Sequence, residues 1–247
     1  MTLSRWCHWS TVVIALLAAR LGGQTLLVDY TFEGSTNNPA IVALHLSAGP
    51  LVSNGMQYLG PASLGTPIEG AYGGWWRAYQ SGVQTDAASA TDWAGAIAAA
   101  DYASMSITVD PGYTLSLSSI TFYAGISGFG GITAGYGVYS NVTGFSGSPL
   151  GGGSLTQGGP TWINLSTNLS ANPTFQGLGA GTYEFRIYFT DDYFGTTTFQ
   201  NAYLDDIRFN GTLAAVPEPS AYVMLAGLMA LGWVASRRKI PVLRPGN

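Results

Sequence analysis

The sequence predicts an all-β protein: an antiparallel β-sandwich, jelly-roll-like, flanked by an N-terminal signal helix and a C-terminal transmembrane helix. Three observations predict it. Short runs rich in Thr, Val, Ile, Tyr and Phe recur along the chain with turn residues between them. No helical pattern alternates with these runs. An apolar segment with a basic flank stands at each end of the 247 residues.

Composition narrows the class further. The chain has 34 glycines, 13% aromatic residues and only 9% charged residues, against about 25% charged in an average globular protein. It is too apolar for disorder. Glycine with Thr, Ser, Tyr and Phe suits strands and turns. About 190 residues remain once the terminal segments are set aside, enough for one generous β domain.

At the N-terminus, Arg5 supplies a positive region and residues 11–19 (TVVIALLAA) an apolar stretch of signal-peptide length. The run is too short for a transmembrane helix of usual length. Cleavage is expected near Gly23 and Gln24, giving a signal peptide over 1–23; an uncleaved anchor is the alternative. The single cysteine, Cys7, lies inside this segment, so disulfides are not available to the domain that follows.

The domain is expected over 24–212, and strands are read along it in order. Residues 25–32 (TLLVDYTF) and 41–47 are the first two, and 74–79 (GWWRAY) is a short aromatic one. Residues 86–101 are alanine-rich and read as a short helix or ordered loop. Residues 102–109 (YASMSITV) alternate, and Asp110, Pro111 and Gly112 make a turn. Residues 113–124 alternate again, but Leu115 and Leu117 fall out of phase with Ile120 and Phe122, which predicts a bulge at Ser118 and Ser119. Further strands are expected at 135–140, at 162–169 after a glycine-rich hairpin region, at 181–190 and at 202–210. In 181–190, Tyr183, Phe185, Ile187 and Phe189 share one face, and Glu184, Arg186 and Tyr188 the other.

At the C-terminus, Val216, Pro217, Glu218, Pro219 and Ser220 precede an apolar run over 221–235, and Arg237, Arg238 and Lys239 follow. The prolines end any strand. Fifteen helical residues would span about 22 Å, just short of a usual hydrocarbon core, with the basic cluster on the cytoplasmic side. This order of motif, apolar helix and basic stop is similar to the PEP-CTERM sorting signal. The resemblance implies an exosortase-type membrane protease as partner, cutting near the motif. It places the sorting segment at 213–240 and a tail at 241–247, a tail longer than such signals usually carry. An ordinary membrane anchor is the alternative. Either way the middle domain stands outside the cytoplasmic membrane.

The pieces SITFYAGISG, GYGVYSNVTGF, YEFRIYFTDD and YLDDIRFNG resemble the outer domains of PEP-CTERM proteins, which are similar to carbohydrate-binding jelly rolls. Such a fold places the first and last strands side by side, bringing residues 29–33 near 204–207.

Charge and chemistry limit the functions open to this domain. Residues 24–212 carry three basic residues (Arg77, Arg186, Arg208) and twelve acidic ones, a formal charge of −9. That excludes the electrostatic footprint of a nucleic-acid binder. The one histidine of residues 24–212, His45, sits in an apolar run, and no nucleophile motif stands in the chain. It reads as a strand residue, and the domain as non-catalytic.

Two kinds of site are weighed. Trp75, Trp76, Tyr79, Trp93 and Trp162 offer flat apolar faces that suit a pyranose ring of an extracellular polysaccharide; packing in the core is the other reading. Glu33, Asp205 and Asp206 could contribute to a structural calcium, as the jelly-roll resemblance implies; a solvated acidic edge is the alternative. Adjacent strand residues face opposite ways, so only one of Asp205 and Asp206 is expected at any one site. Four Asn-x-Ser/Thr triplets, at Asn141, Asn164, Asn168 and Asn210, are taken as chance matches in a Ser/Thr-rich chain. The expected role is an exported surface or exopolysaccharide-associated protein, with carbohydrate binding as the alternative.

Overall fold

The computed structural model describes residues 25–32, 36–55, 57–58, 76–80, 93–100, 102–127, 133–156, 161–191, 200–217 and 219–237. It divides into two compact units, Met1–Ala214 and Ala215–Asn247.

In the first unit, the strands are β1 (Thr25–Tyr30), β2 (Ile41–Val42), β3 (Leu46–Ala48), β4 (Val52–Asn54), β5 (Gln57–Tyr58), β6 (Trp76–Gln80), β7 (Tyr102–Val109), β8 (Tyr113–Ser127), β9 (Thr133–Ser140), β10 (Gly151–Thr156), β11 (Thr161–Asn168), β12 (Gly181–Asp191) and β13 (Gln200–Ala215). A helix α1 (Trp93–Ala99) precedes β7. Among the described residues these form two antiparallel sheets. The first runs β11-β8-β13-β1-β2, with β6 on the near half of β13 and β5 beside β6. The second runs β10-β9-β12-β7-β3, with β4 on the other half of β7.

Period-two patterning explains the core. On β7, Ala103, Met105, Ile107 and Val109 are buried, while Tyr102, Ser104, Ser106 and Thr108 are not. On β12, Phe185, Ile187 and Phe189 point inward as expected, with Tyr183 packed at the margin. Their partners come from the opposite sheet: Leu115, Leu117, Ile120, Phe122, Leu204, Ile207 and Phe209. The Phe185 and Phe209 rings lie 5.0 Å apart across this interior. The phase slip in β8 is real: Leu117 and Ile120 are both buried, and Ser118 and Ser119 sit between them. A turn joins β7 and β8, with Gly112 at φ +84° and the Tyr113 N–H donating to the Asp110 carbonyl at 3.3 Å.

The first and last strands pair, with Asp29 opposite Arg208 and Tyr30 opposite Ile207. The single strand expected over 41–47 is instead two. β2 joins the first sheet and β3 the second. His45 stands at the break with φ +68°, a conformation that ends a strand and turns the chain from one sheet to the other. His45 stacks on Tyr113 at 3.8 Å and sets Nδ1 3.7 Å from the Asp110 carboxylate.

In the second unit, α2 (Pro219–Arg237) covers the apolar run, and its Val223, Met224, Leu228, Leu231 and Trp233 are exposed. Among the described residues no helix is long and apolar enough to cross a membrane. The expected signal helix lies outside the described residues.

Candidate functional site

The outward face of the second sheet is built by register. Thr182 pairs with Thr108, Glu184 with Ser106, Arg186 with Ser104 and Tyr188 with Tyr102. On the other side of β12, Tyr139 pairs with Arg186 and Gly137 with Tyr188. Every named side chain therefore stands on the same side of the sheet.

Half of this face is roofed. α1 packs Trp93, Ala96 and Ile97 against Tyr139, Tyr188 and Tyr102, and Phe145 closes the margin. Glycine makes the roof possible: a methyl at Gly137 would stand 2.8 Å from the Trp93 ring. The rings meet edge to face, Tyr139 with Tyr188 at 5.2 Å and Trp93 with Tyr139 at 6.5 Å, as their quadrupoles favour.

Arg186 marks the edge of the roof. Its guanidinium lies between two rings, 3.6 Å from the Phe145 centroid and 4.3 Å from Tyr102. Its Nε donates to Glu184 at 2.7 Å and its Nη1 to the Tyr188 hydroxyl at 3.2 Å. Burial works against its charge, but the bonds to Glu184 and Tyr188 outweigh burial and hold its pKa above the ordinary arginine value. The cation is fixed, stacked and already neutralised.

The other half of the face is open, a groove of about 340 Å³. Ser104 and Ser106 of β7 lie on its floor, and Pro50 and Val52 form one bank. This bank exists because β3 and β4 pair with different halves of β7, leaving Gly49 and Pro50 to cross between them. Gly49 sits close, its N–H donating to the Ser106 carbonyl at 3.0 Å; a methyl there would be 2.8 Å from the Ser106 hydroxyl. The opposite bank is Asn141, Thr182 and Glu184. Asn141 staples it, its side-chain oxygen accepting from the Glu184 N–H at 3.0 Å. Sequence reasoning missed this groove. Its available signal was the serine alternation on one face of β7.

Of the candidate residues named from sequence, Trp93 and Trp162 fall outside this groove. Trp93 belongs to the roof. Trp162 lies in β11, its ring over Gly125 and 5.6 Å from Tyr203, on the outward face of the other sheet. The backbones of Trp76 and Tyr79 belong to β6, and Trp75 lies outside the described residues.

Glu33 also lies outside them. Asp205 and Asp206 are both buried in β13. Asp206 has φ +47°, so the strand kinks and its N–H donates to the Asp205 carboxylate at 2.8 Å. Asp206 then pairs with Arg208 at 3.2 Å, and Arg208 reaches Asp29 at 3.3 Å. Among the described residues no three His, Cys, Asp or Glu converge to hold a metal ion.

The strand layout and the C-terminal segment together define the class: a β-sandwich followed by a terminal sorting segment. That segment, residues 215–239, matches the PEP-CTERM protein-sorting motif. It includes Val216, Pro217, Glu218, Pro219 and Ser220 and the basic cluster Arg237, Arg238 and Lys239. No curated protein matches the chain. Among solved structures the sandwich resembles carbohydrate-binding modules. A xylan-binding domain from CBM 22 is 14% identical, with 74% of this chain and 92% of that one covered, at a TM-score of 0.34. A CBM61 module in complex with β-1,4-galactotriose is 10% identical over 75% and 94%, at 0.33. The K1 cleaved adhesin domain of Lys-gingipain from Porphyromonas gingivalis W83 is 13% identical over 76% and 98%, at 0.34.

Proposed function

We propose that this chain is a non-catalytic exported protein. It is sorted through its C-terminal segment, processed by an exosortase-type membrane protease, and left at the cell surface or in an extracellular polysaccharide layer. The sorting-motif match at 215–239 carries the reading. The fold supports it. Strands β1, β13, β8 and β11 form one four-stranded set and β7, β12, β9 and β10 the other. Counting only those eight in chain order, the sets read 1-8-3-6 and 2-7-4-5, a jelly-roll order suited to a compact, displayed module.

The test is processing in a host that carries the protease. The mature protein is expected to lack α2, and Glu218→Ala or Pro219→Ala to leave a full-length, membrane-bound precursor. Intact 247-residue chain found soluble in the cytosol would defeat the reading, as would an unchanged mature mass in both variants.

A second reading, contact with extracellular glycan, is favoured by one observation. The outward face of the second sheet carries an open groove with a hydroxyl-bearing floor.

A further inference from the structure

From the groove on the second sheet we infer a binding site for a neutral oligosaccharide, with Ser104 and Ser106 beneath the ligand and Glu184 as a fixed acceptor at its side. This rests on the glycan-contact reading and adds where the ligand sits and which chemistry it must have.

The lining excludes other ligand classes one at a time. A hard cation wants six to eight oxygen ligands, several of them carboxylates; this groove offers one carboxylate, Glu184, held by Arg186 at 2.7 Å. An anion would need a cation, and Arg186 is committed to Glu184, Tyr102 and Phe145. The strongly acidic domain repels an anion further. An apolar ligand would find hydroxyls on the floor, whose desolvation it could not offset. An added β-strand needs a free sheet edge, and β7 and β12 are interior strands, each paired on both sides.

A neutral polyol meets each of these features. Serine hydroxyls both donate and accept, as sugar hydroxyls do, and a carboxylate accepts from two of them at once. Among the described residues neither the Ser104 nor the Ser106 hydroxyl has a protein partner, so both are available to a ligand. Glu184 is already desolvated on its Arg186 side, and its backbone is pinned by Asn141. Its orientation therefore needs little further ordering on binding. Pro50 and Val52, both exposed, give the apolar bank on which ring C–H groups can rest. The volume of about 340 Å³ is at the small end of ligand sites, about 300–1,000 Å³, and suits a short stretch of a saccharide chain.

The experiment uses the full-length chain in detergent micelles. It is titrated calorimetrically with neutral hexasaccharides (cellohexaose, xylohexaose, mannohexaose, laminarihexaose) and with anionic hexagalacturonate. At least one neutral hexasaccharide is expected to bind and hexagalacturonate not to. Ser106→Ala, which removes only a hydroxyl, is expected to weaken that binding by about threefold to tenfold, the worth of one hydrogen bond. Thr182→Trp, filling the groove from an exposed strand position, should weaken it by at least about tenfold. Ser166→Trp, on the exposed face of β11 in the other sheet, should leave it within about twofold. Tighter binding of hexagalacturonate than of any neutral sugar overturns the proposal. Neutral binding that survives both groove variants overturns the groove and leaves the glycan reading standing. No binding of any sugar by the wild type removes both, while the sorting reading, tested by processing, is untouched.

Discussion

Trp93 occupies the space that a side chain on Gly137 would need. A methyl there would approach the indole ring to 2.8 Å and Pro149 to 3.2 Å. The roof over half of the second sheet therefore depends on the absence of one Cβ. Gly137→Ala is expected to destabilise the fold by about 1–3 kcal/mol, the usual cost of overpacking. In a Trp93→Ala background the same substitution should cost much less, because its collision partner is gone. Urea denaturation of the four proteins in the double-mutant cycle reads the coupling directly. Equal costs in both backgrounds would mean the ring does not rest on that glycine.

The two sheets are joined where Phe185 meets Phe209 at 5.0 Å and Phe175 at 6.3 Å. All three rings are fully buried. Phe185→Ala removes the middle ring and leaves a cavity walled by both sheets. The expected loss is about 3–5 kcal/mol, read as a fall in denaturation midpoint at unchanged slope. Phe185→Leu should recover more than half of it, since it restores most of the volume.

Buried tyrosines set an alkaline limit. The Tyr30 hydroxyl donates to the Gly49 carbonyl at 2.6 Å and the Tyr136 hydroxyl to the Gly125 carbonyl. Burial raises both pKa values well above the ordinary 10.0, with Tyr203 adding to the shift at Tyr136. In the unfolded chain these groups lose their protons near pH 10; in the fold they keep them. The unfolded state then binds fewer protons, so stability falls as pH rises. Stability is expected to hold up to about pH 9 and then drop by up to about 1.4 kcal/mol per pH unit for each such tyrosine. Tyr30→Phe, which loses one hydrogen bond at neutral pH, should flatten part of that slope. Thermal melts from pH 7 to 11 measure it.

What the sequence made legible follows its physics closely. β7 announced itself by strict alternation, and β12 by Tyr183, Phe185, Ile187 and Phe189 on one face. The Ser118 and Ser119 slip was visible because both flanking phases are strongly apolar. β10 was not legible. Its GGGSLT sequence has little strand propensity, and it is a strand because β9 pairs with it throughout. Its glycines are needed by neighbours instead: a methyl at Gly151 would stand 2.5 Å from the Thr167 hydroxyl, and one at Gly153 2.6 Å from Leu165. The break at His45 was hidden for a related reason, since a left-handed φ on a non-glycine residue is imposed by the crossing between sheets. The groove is assembled from four separate stretches of chain, around Pro50, Ser104, Asn141 and Glu184. No one of those stretches carries a motif.

Arg208 is the last test, because it brings positive charge to both buried Asp29 and buried Asp206. Asp29 Oδ1 is itself buried with no hydrogen-bond partner among the described residues. The environment is thus poorly compensated even with the guanidinium present. Arg208→Met keeps much of the side-chain volume and removes the charge. Removing one partner of a buried pair costs about 3–5 kcal/mol, but Arg208 is 41% exposed, and solvent screening reduces the expected loss to about 1–3 kcal/mol. Urea denaturation of wild type and variant at neutral pH measures the loss as a fall in midpoint at unchanged slope. An unchanged midpoint would show that Asp29 and Asp206 do not depend on this arginine.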